Sequence, residues 1–597
     1  MITQEQVIQS LPSHLQPFVA HQDYSQYTPR DQAVWRFLLE QLKLNLRSSA
    51  HPTYLEGLER TGISQQRIPR IEDINHCLNK IGWRAVVVDG FLPPAIFMEF
   101  QALKVLVIAV NMRSFAHMLY TPAPDIVHES AGHAPFLIDI DYAEFLQSFG
   151  ELGMAAIANK GDIEVYEAVR NLSIVKETPN ASSKDITAAE QQLEQAVASH
   201  TEVSESALLT RLHWWTVEYG LVGNLQDYHI YGAGLLSSLG ESVNCLDDDK
   251  VIKRLLTVDA IRESYDITEE QPQLFVTDSC RHLSQILEEY GRHMCCHRGG
   301  ASALQEAVDA ATVNTATTNS GLQVSGAFTR VVTDAVGHAT YFNTTGPTQL
   351  CYQDSQLSGH GIDYHAQGYG SPVGRLRGFE RCLSSYTVDE LKRHHIELGQ
   401  PAELNFLSGI TVRGMVTGLI RRDQKNILLS FEDCTVTDND NQILFDPAWG
   451  VFDMAIGDSI VSVKGGSADK DHFPLYQAPS NKVTIAQAYD AATEAQFGLY
   501  DRLRSARENS LGAEDMEALL SDIIAIDQAD WLLVFEALDL CYRRNLADEL
   551  AAALREKLVN AEDIASADDK VLISYAKTRL AELENQELVS QTQSISA

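Results

Sequence analysis

P-A-P-D-I-V-H-E-S-A-G-H-A-P, residues 122–135, places His128 and His133 five positions apart, with Glu129 beside the first. Zinc-protease helices of the H-E-x-x-H kind use an interval of four, which stacks both imidazoles over one face and leaves the Glu as base. An interval of five turns the second ring by roughly 140° on a regular α-helix. Both rings then reach one ion only if the helix starts, ends or bulges between them. Gly132 marks a point where such an irregularity is tolerated. Pro122 and Pro124 restrict the residues before them, so the segment bearing the histidines is expected to begin near Asp125.

A third donor, Glu218, follows in H-W-W-T-V-E-Y-G, residues 213–220. A carboxylate among Trp214, Trp215, Val217 and Tyr219 must be paired or metal-bound, because an isolated charge in such company is costly. Two imidazoles and one carboxylate on one face of a divalent ion leave the opposite positions open, the geometry of non-haem ferrous oxygenases. The ordinary reading of two nearby histidines is satisfied or solvent-facing imidazoles, and that of Trp214 is core.

Longer blocks sharpen the choice. I-P-R-I-E-D-I-N from Ile68, M-L-Y-T-P-A-P-D-I-V-H-E-S-A-G-H from Met118, W-W-T-V-E-Y-G-L from Trp214, Y-G-A-G-L-L-S-S-L-G-E from Tyr231 and Y-D-I-T-E-E-Q-P from Tyr265 occur in that order. Together they resemble the tetrahydrobiopterin-dependent aromatic amino acid hydroxylases, over residues 25 to 297. The resemblance implies a mostly helical catalytic region with short strands. It also implies His128, His133 and Glu218 as ligands of Fe(II), and a monooxygenase reaction with dioxygen and a tetrahydropterin.

Carried over position by position, Arg113 holds the substrate carboxylate and Asp125 orients Arg113. A planar guanidinium suits that task because it grips a carboxylate through two parallel hydrogen bonds. Thr121, Pro122, Gly234 and Ser237 line the amino acid pocket, and Trp214 walls the substrate ring. D-G-F-L-P-P-A-I-F, from Asp89, matches the pterin loop: Phe97 stacks on the pterin, Leu92 bonds its edge, and Glu129 lies close to it. Glu129, Trp214 and Ser237 are the residues expected to serve catalysis. Two positions depart from the pattern: Pro94 stands where a serine is usual, and Val107 where animal members have histidine. Ile267 and Trp214 favour L-phenylalanine, converted to L-tyrosine, over the substrates of the tyrosine and tryptophan enzymes. Tryptophan hydroxylation is the alternative within the family. An assembly or ligand-binding protein with a vestigial hydroxylase region is the alternative outside it.

Composition bounds the rest. With 597 residues and 45% apolar content, the chain is globular and long enough for several domains. A net charge of −35 argues against nucleic acid or an anionic membrane as partner. No basic, then apolar, leader opens the sequence, and no run of about 18 apolar residues suggests a membrane span. Nine scattered cysteines fit reduced thiols, so a cytoplasmic location is expected. Cys295-Cys296-His297 lacks metal-ligand spacing and reads as structural.

In order, residues 1–24 read as a polar lead and 25–300 as the catalytic region, interrupted at 160–206 by an inserted loop plus an amphipathic helix. Asp31 is a helix cap for the Trp35, Leu38, Leu42 and Leu46 face. Residues 301–320, rich in Ala and Thr, read as a linker. Residues 321–475 alternate apolar and polar segments broken by Gly, Asp and Asn, which predicts a β-rich domain of sandwich or barrel type. Helical spacing dominates 485–588, which offers either a face to pack on the catalytic region or a homo-oligomer interface, and 589–597 reads as a polar tail.

Overall fold

The computed structural model describes residues 3–119, 124–177, 181–199, 202–267, 269–478, 489–509, 513–544, 546 and 548–595. The catalytic region is built around the helix Pro29–Leu46. Thr28 caps it, and Asp31, expected to be the cap, is instead the reciprocal partner whose side chain returns to the Thr28 backbone. Pro29 occupies the first turn, where its missing N–H costs nothing. The helix buries Trp35, Phe37, Leu38, Leu42 and Leu46.

Beside it, strands Arg84–Val88 and Val105–Ala109 pair in parallel, joined by the helix Pro94–Ala102. Apolar but for Arg84, these strands must be covered on both faces. The N-terminal lead covers one of them. It is not a polar leader: Val7, Leu11, Leu15 and Phe18 are buried in one cluster with Val86, Val88, Phe100, Val105 and Val107. Their helix-like spacing was masked by the prolines between them. A four-stranded sheet follows, in spatial order Asp227–Ile230, Gly220–Asn224, Gln273–Thr277 and Ile252–Leu255. Its strand Gly220–Asn224 starts directly after the Glu218 turn.

The stretch read as an inserted loop plus an amphipathic helix holds that helix and a second one in place of the loop. Lys160–Glu177 and Ser183–Ser199 form two helices, and Tyr166 Oη donates to the Phe91 carbonyl at 3.1 Å, tying the first of them to the loop expected to bind pterin.

Residues 301–320 are not a linker either. They form the helix Gly300–Ala310, with Ala303, Leu304, Ala307 and Ala310 buried, and the strand Val313–Thr318. Small side chains read as flexible in sequence here allow close packing on a sheet. That sheet has six strands, in the order Ser355–Gln356, Ala339–Tyr352, Leu322–Thr333, Val313–Thr318 and Ile460–Gly465, with Gly370–Pro372 also paired to Ala339–Tyr352. The second sheet runs Pro401–Asn405, Thr411–Arg422, Lys425–Thr437 and Ile443–Phe445, with Phe452–Ala455 also on Lys425–Thr437. Lys425–Thr437 joins the two cores, placing Ile427 and Leu428 in one and Leu429 and Phe431 in the other.

The C-terminal helices Ala491–Glu508, Ala513–Ala525, Trp531–Arg544, Asp548–Ile564 and Ala567–Ile595 pack onto the catalytic region. The last runs on to Ile595, into the residues read as a tail, where no Pro or Gly interrupts it. Phe37 meets Trp531 and Phe535 edge-on, with ring centroids 5.3 and 5.2 Å apart. Among the described residues, no helix is long and apolar enough to cross a membrane.

At the same contact Glu536, itself buried, pairs with Arg36, and Arg507 pairs with both Glu536 and Asp539. Removing one partner of a buried pair leaves the other charge uncompensated. Glu536→Ala leaves the Arg36 guanidinium without its partner and Arg507 with Asp539 alone, and should destabilise this contact by about 3–5 kcal/mol. The measurement is the urea midpoint of the transition that reports Trp531 fluorescence; an unchanged midpoint would show the pair to be dispensable.

Candidate metal centre and active site

The interval of five between the histidines is accommodated by a π-helical turn over His128–His133. In it, Ala134 N–H donates to the Glu129 carbonyl, five residues back. A wider turn of this kind brings side chains five apart onto one side, which an α-helix cannot do. Trp214–Glu218 is a second π turn, closed by Tyr219 N–H donating to the Trp214 carbonyl at 2.9 Å. Gly132 is needed for a reason other than the one expected. A Cβ there would lie 2.7 Å from the Ala233 carbonyl oxygen, so glycine lets the helix Ala233–Ser237 dock against the π turn.

The three donors converge. His128 Nε2 and His133 Nε2 are 3.2 Å apart, and each stands 3.3 Å from a different oxygen of Glu218. Ligands about 2.0–2.1 Å from one ion are themselves about 3 Å apart, so this set fits a single divalent metal. Burial alone would push the Glu218 carboxyl up; His133 and His128 outweigh it and hold Glu218 well below the usual carboxylate range.

Ser237 orients the first ligand. Its Oγ donates to the Ala233 carbonyl at 2.7 Å and lies 2.9 Å from His128 Nδ1. With its one proton committed, the hydroxyl accepts from Nδ1–H, and that tautomer turns the Nε2 lone pair to the centre. Ser238 has the ordinary role of a cap, accepting from Glu241 N–H at 3.3 Å.

Asp125 ties the centre to Arg113. Its carboxylate accepts from Arg113 Nε at 2.8 Å, Nη2 at 2.9 Å and backbone N–H at 3.0 Å, and from His128 N–H at 3.0 Å. Burial would raise the Asp125 pKa, but the Arg113 guanidinium prevails and lowers it. The same acid therefore fixes the guanidinium and the start of the ligand turn.

Glu129 is buried with Oε2 3.8 Å from His133 Nε2. Burial, with Glu218 and Asp125 adding to it, pushes its carboxyl up to about 8 against the pull of His133. Trp214 stacks on Tyr265 at 4.3 Å and 13°, packs against Tyr219 at 4.6 Å, and donates from Nε1 to Gln271 Oε1 at 3.2 Å. Gly234 is close-packed too, since a Cβ would meet the Tyr219 ring at 2.9 Å. Thr121 and Pro122 lie outside the described residues. Ile267 is exposed in the loop after Tyr265.

One neighbour escaped the sequence reading. His213 is buried with Nδ1 3.8 Å from Glu218 Oε1, and burial pulls its pKa down to about 4. The signal was present: His213 precedes Glu218 by the same five positions that separate His128 from His133. Phe97 meets the His213 ring edge-on at 6.0 Å, which places the proposed pterin-stacking residue one side chain away from the metal ligand. Leu92, like Phe97, packs partly buried against the N-terminal cluster. A cavity of about 1010 Å³ opens beyond this loop, between Phe91 and Pro94, Tyr166 and Arg170, and Gly465 and Tyr476; none of the metal donors lines it. Cys295 is buried, its thiol donating to Glu306 Oε2 at 2.9 Å.

Replacing Ser237 by Ala removes the acceptor that selects the His128 tautomer while leaving all three donors. Metal affinity should fall about 10- to 100-fold, read by competition with a chelator of known strength. Unaltered affinity would show that Ser237 does not orient His128.

The profile of the family described as biopterin-dependent aromatic amino acid hydroxylase matches residues 20–172 and 178–298. Phenylalanine-4-hydroxylase of Pseudomonas aeruginosa is 31% identical over 265 residues, covering 44% of this chain and 84% of that protein. The enzyme of the same name from Mesorhizobium japonicum is 31% identical over 267 residues, 44% of this chain and 80% of that protein. A crystal structure of Chromobacterium violaceum phenylalanine hydroxylase with bound iron(III) and 7,8-dihydrobiopterin aligns with 47% of this chain and 87% of its own, at 27% identity and a TM-score of 0.37. The π turns, the histidine pair and the distant glutamate thus lie within a matched span that ends at residue 298, and the chain belongs to the biopterin-dependent aromatic amino acid hydroxylases.

Proposed function

We propose that this chain is a phenylalanine 4-monooxygenase, hydroxylating L-phenylalanine to L-tyrosine with dioxygen and a tetrahydropterin at a ferrous ion held by His128, His133 and Glu218. The observation that carries it is the convergence of those donors at 3.2–3.3 Å, with Arg113 fixed to the same turn through Asp125. Ferrous iron and the reduced pterin, when bound, activate dioxygen, so that one oxygen atom enters the ring and the other leaves on the pterin.

The chain's own residues position the partners of that reaction. Arg113 takes the amino acid carboxylate through charge-assisted hydrogen bonds, which sets the ring at a fixed distance from the metal. Trp214, braced by Tyr265 and Tyr219, walls the ring. Phe97 offers a face to the pterin, and Glu129, buried and with a raised pKa, can present a proton on its carboxyl where the pterin would lie. Ser237 holds His128 in the ligating tautomer. Phenylalanine is preferred over tryptophan on Trp214 and over tyrosine on Ile267, and on the names of the relatives at 31% identity.

Two substitutions test this reading. In iron-loaded protein supplied with tetrahydropterin, His128→Ala should lose most of its iron and nearly all tyrosine formation from phenylalanine. Arg113→Lys keeps the charge but loses the planar fork, and should raise KM for phenylalanine about 10- to 100-fold while iron content holds. Wild-type protein that makes 5-hydroxytryptophan and no tyrosine would move the assignment to the tryptophan enzyme. Oxygen uptake indifferent to pterin would remove it from this chemistry.

A further inference from the structure

The β-rich region holds a second constellation that hydroxylation does not use. His360 and His365 lie in the loop between the strands Ser355–Gln356 and Gly370–Pro372, and Asp453 lies on the strand Phe452–Ala455 of the other sheet. His360 Nδ1 is 3.3 Å from His365 Nε2 and 3.8 Å from Asp453 Oδ2. One ligating atom from each of the three falls within 4.8 Å of the others. The two shorter spacings approach those that a tetrahedral ion with bonds of about 2.0–2.1 Å imposes on its ligands, and binding would draw His365 and Asp453 closer together.

The charge balance is incomplete without a cation. Asp453 is 4% exposed; its Oδ1 accepts from Ser430 Oγ at 2.5 Å, whereas Oδ2 is buried with no hydrogen-bond partner among the described residues. An unsatisfied buried carboxylate oxygen is expensive. Two imidazoles with converging nitrogens beside a buried carboxylate oxygen that no hydrogen bond satisfies are a ligand set.

We infer that His360, His365 and Asp453 form a second metal centre, which takes one first-row divalent ion, zinc by preference, and pins the 357–369 loop to the neighbouring sheet. Imidazole nitrogen suits zinc and its neighbours, whereas calcium and magnesium require oxygen donors. Tyr364 packs edge-on against both rings, at 5.5 Å from His360 and 4.7 Å from His365, and at 53% exposure is the side of the cluster that meets solvent. The centre spans two sheets, so its effect is cross-linking, and it is independent of the hydroxylase site.

The test uses full-length chain, stripped with chelator, incubated with zinc chloride and freed of excess ion. A His128→Ala/His133→Ala chain is expected to retain zinc, and adding Asp453→Asn or His365→Gln to it should abolish that retention. In parallel, zinc should raise the melting temperature of the His128→Ala/His133→Ala chain, as any ligand specific to the folded state does, and Asp453→Asn should remove the rise. Cobalt(II) in place of zinc should give the visible absorption of a four-coordinate nitrogen and oxygen site. If the His128→Ala/His133→Ala chain melts cooperatively yet retains no zinc, or retains as much after Asp453→Asn, the second centre does not exist. Loss of hydroxylase activity in the first variant with zinc still bound would separate the two centres.

Discussion

Two imidazole lone pairs and a carboxylate brought within about 3.3 Å of one another are mutually unfavourable unless a cation lies between them, and the catalytic region is organised to keep them there. Neither ligand segment is a regular helix. The π turns over His128–His133 and Trp214–Glu218 give up the favourable register of an α-helix, and the surrounding structure holds them in place. Asp125 fixes the start of the first turn through the His128 N–H, Ser237 fixes the ring, and Gly132 and Gly234 let the helix carrying Ser237 approach both turns. Because Asp125 also holds Arg113, the Arg113 guanidinium and the His128 turn cannot shift independently.

How much of this was legible in the sequence depends on the physical signal. The five-residue interval between the histidines required an irregular helix, and that much was readable from helix geometry alone. Which irregularity was not, since a bulge and a helix end satisfy the same spacing. His213 was missed because a lone histidine before two tryptophans reads as core, and its relation to Glu218 becomes visible only once the second turn is known to be π-helical. The N-terminal lead was misread for a different reason. Its four buried apolar residues are separated by polar ones and by proline, and their value lies in a parallel strand pair whose open face sequence does not display. The Ala-rich stretch after residue 300 shows the converse: composition suggested flexibility where small side chains serve close packing.

The C-terminal helices bear on what the extension is for. They engage the helix Pro29–Leu46 through Phe37 and through Arg36, a charge buried beneath Glu536. The helix that anchors the catalytic region therefore carries a surface shaped for the extension. A catalytic unit cut near residue 300 would expose Phe37 and leave Arg36 without its partner, so the extension completes the packing of the helix Pro29–Leu46. The apolar face that the helical pattern offered to a second copy is spent largely on this internal contact.

The histidine pairs of the two ligand sets, His128 with His133 and His360 with His365, use the same interval of five, yet the local solutions differ. In the catalytic region a π turn keeps the hydrogen-bonded backbone continuous, and the third donor comes from another such turn, so the ligands move with rigid elements around an open coordination face. In the β-rich region the pair lies in a loop, and the third donor comes from a strand of the opposite sheet. A loop cannot preorganise its ligands as a helix does, so there the ion and the loop would order each other. The first arrangement suits a metal that must exchange partners during a reaction, and the second a metal that holds two sheets together.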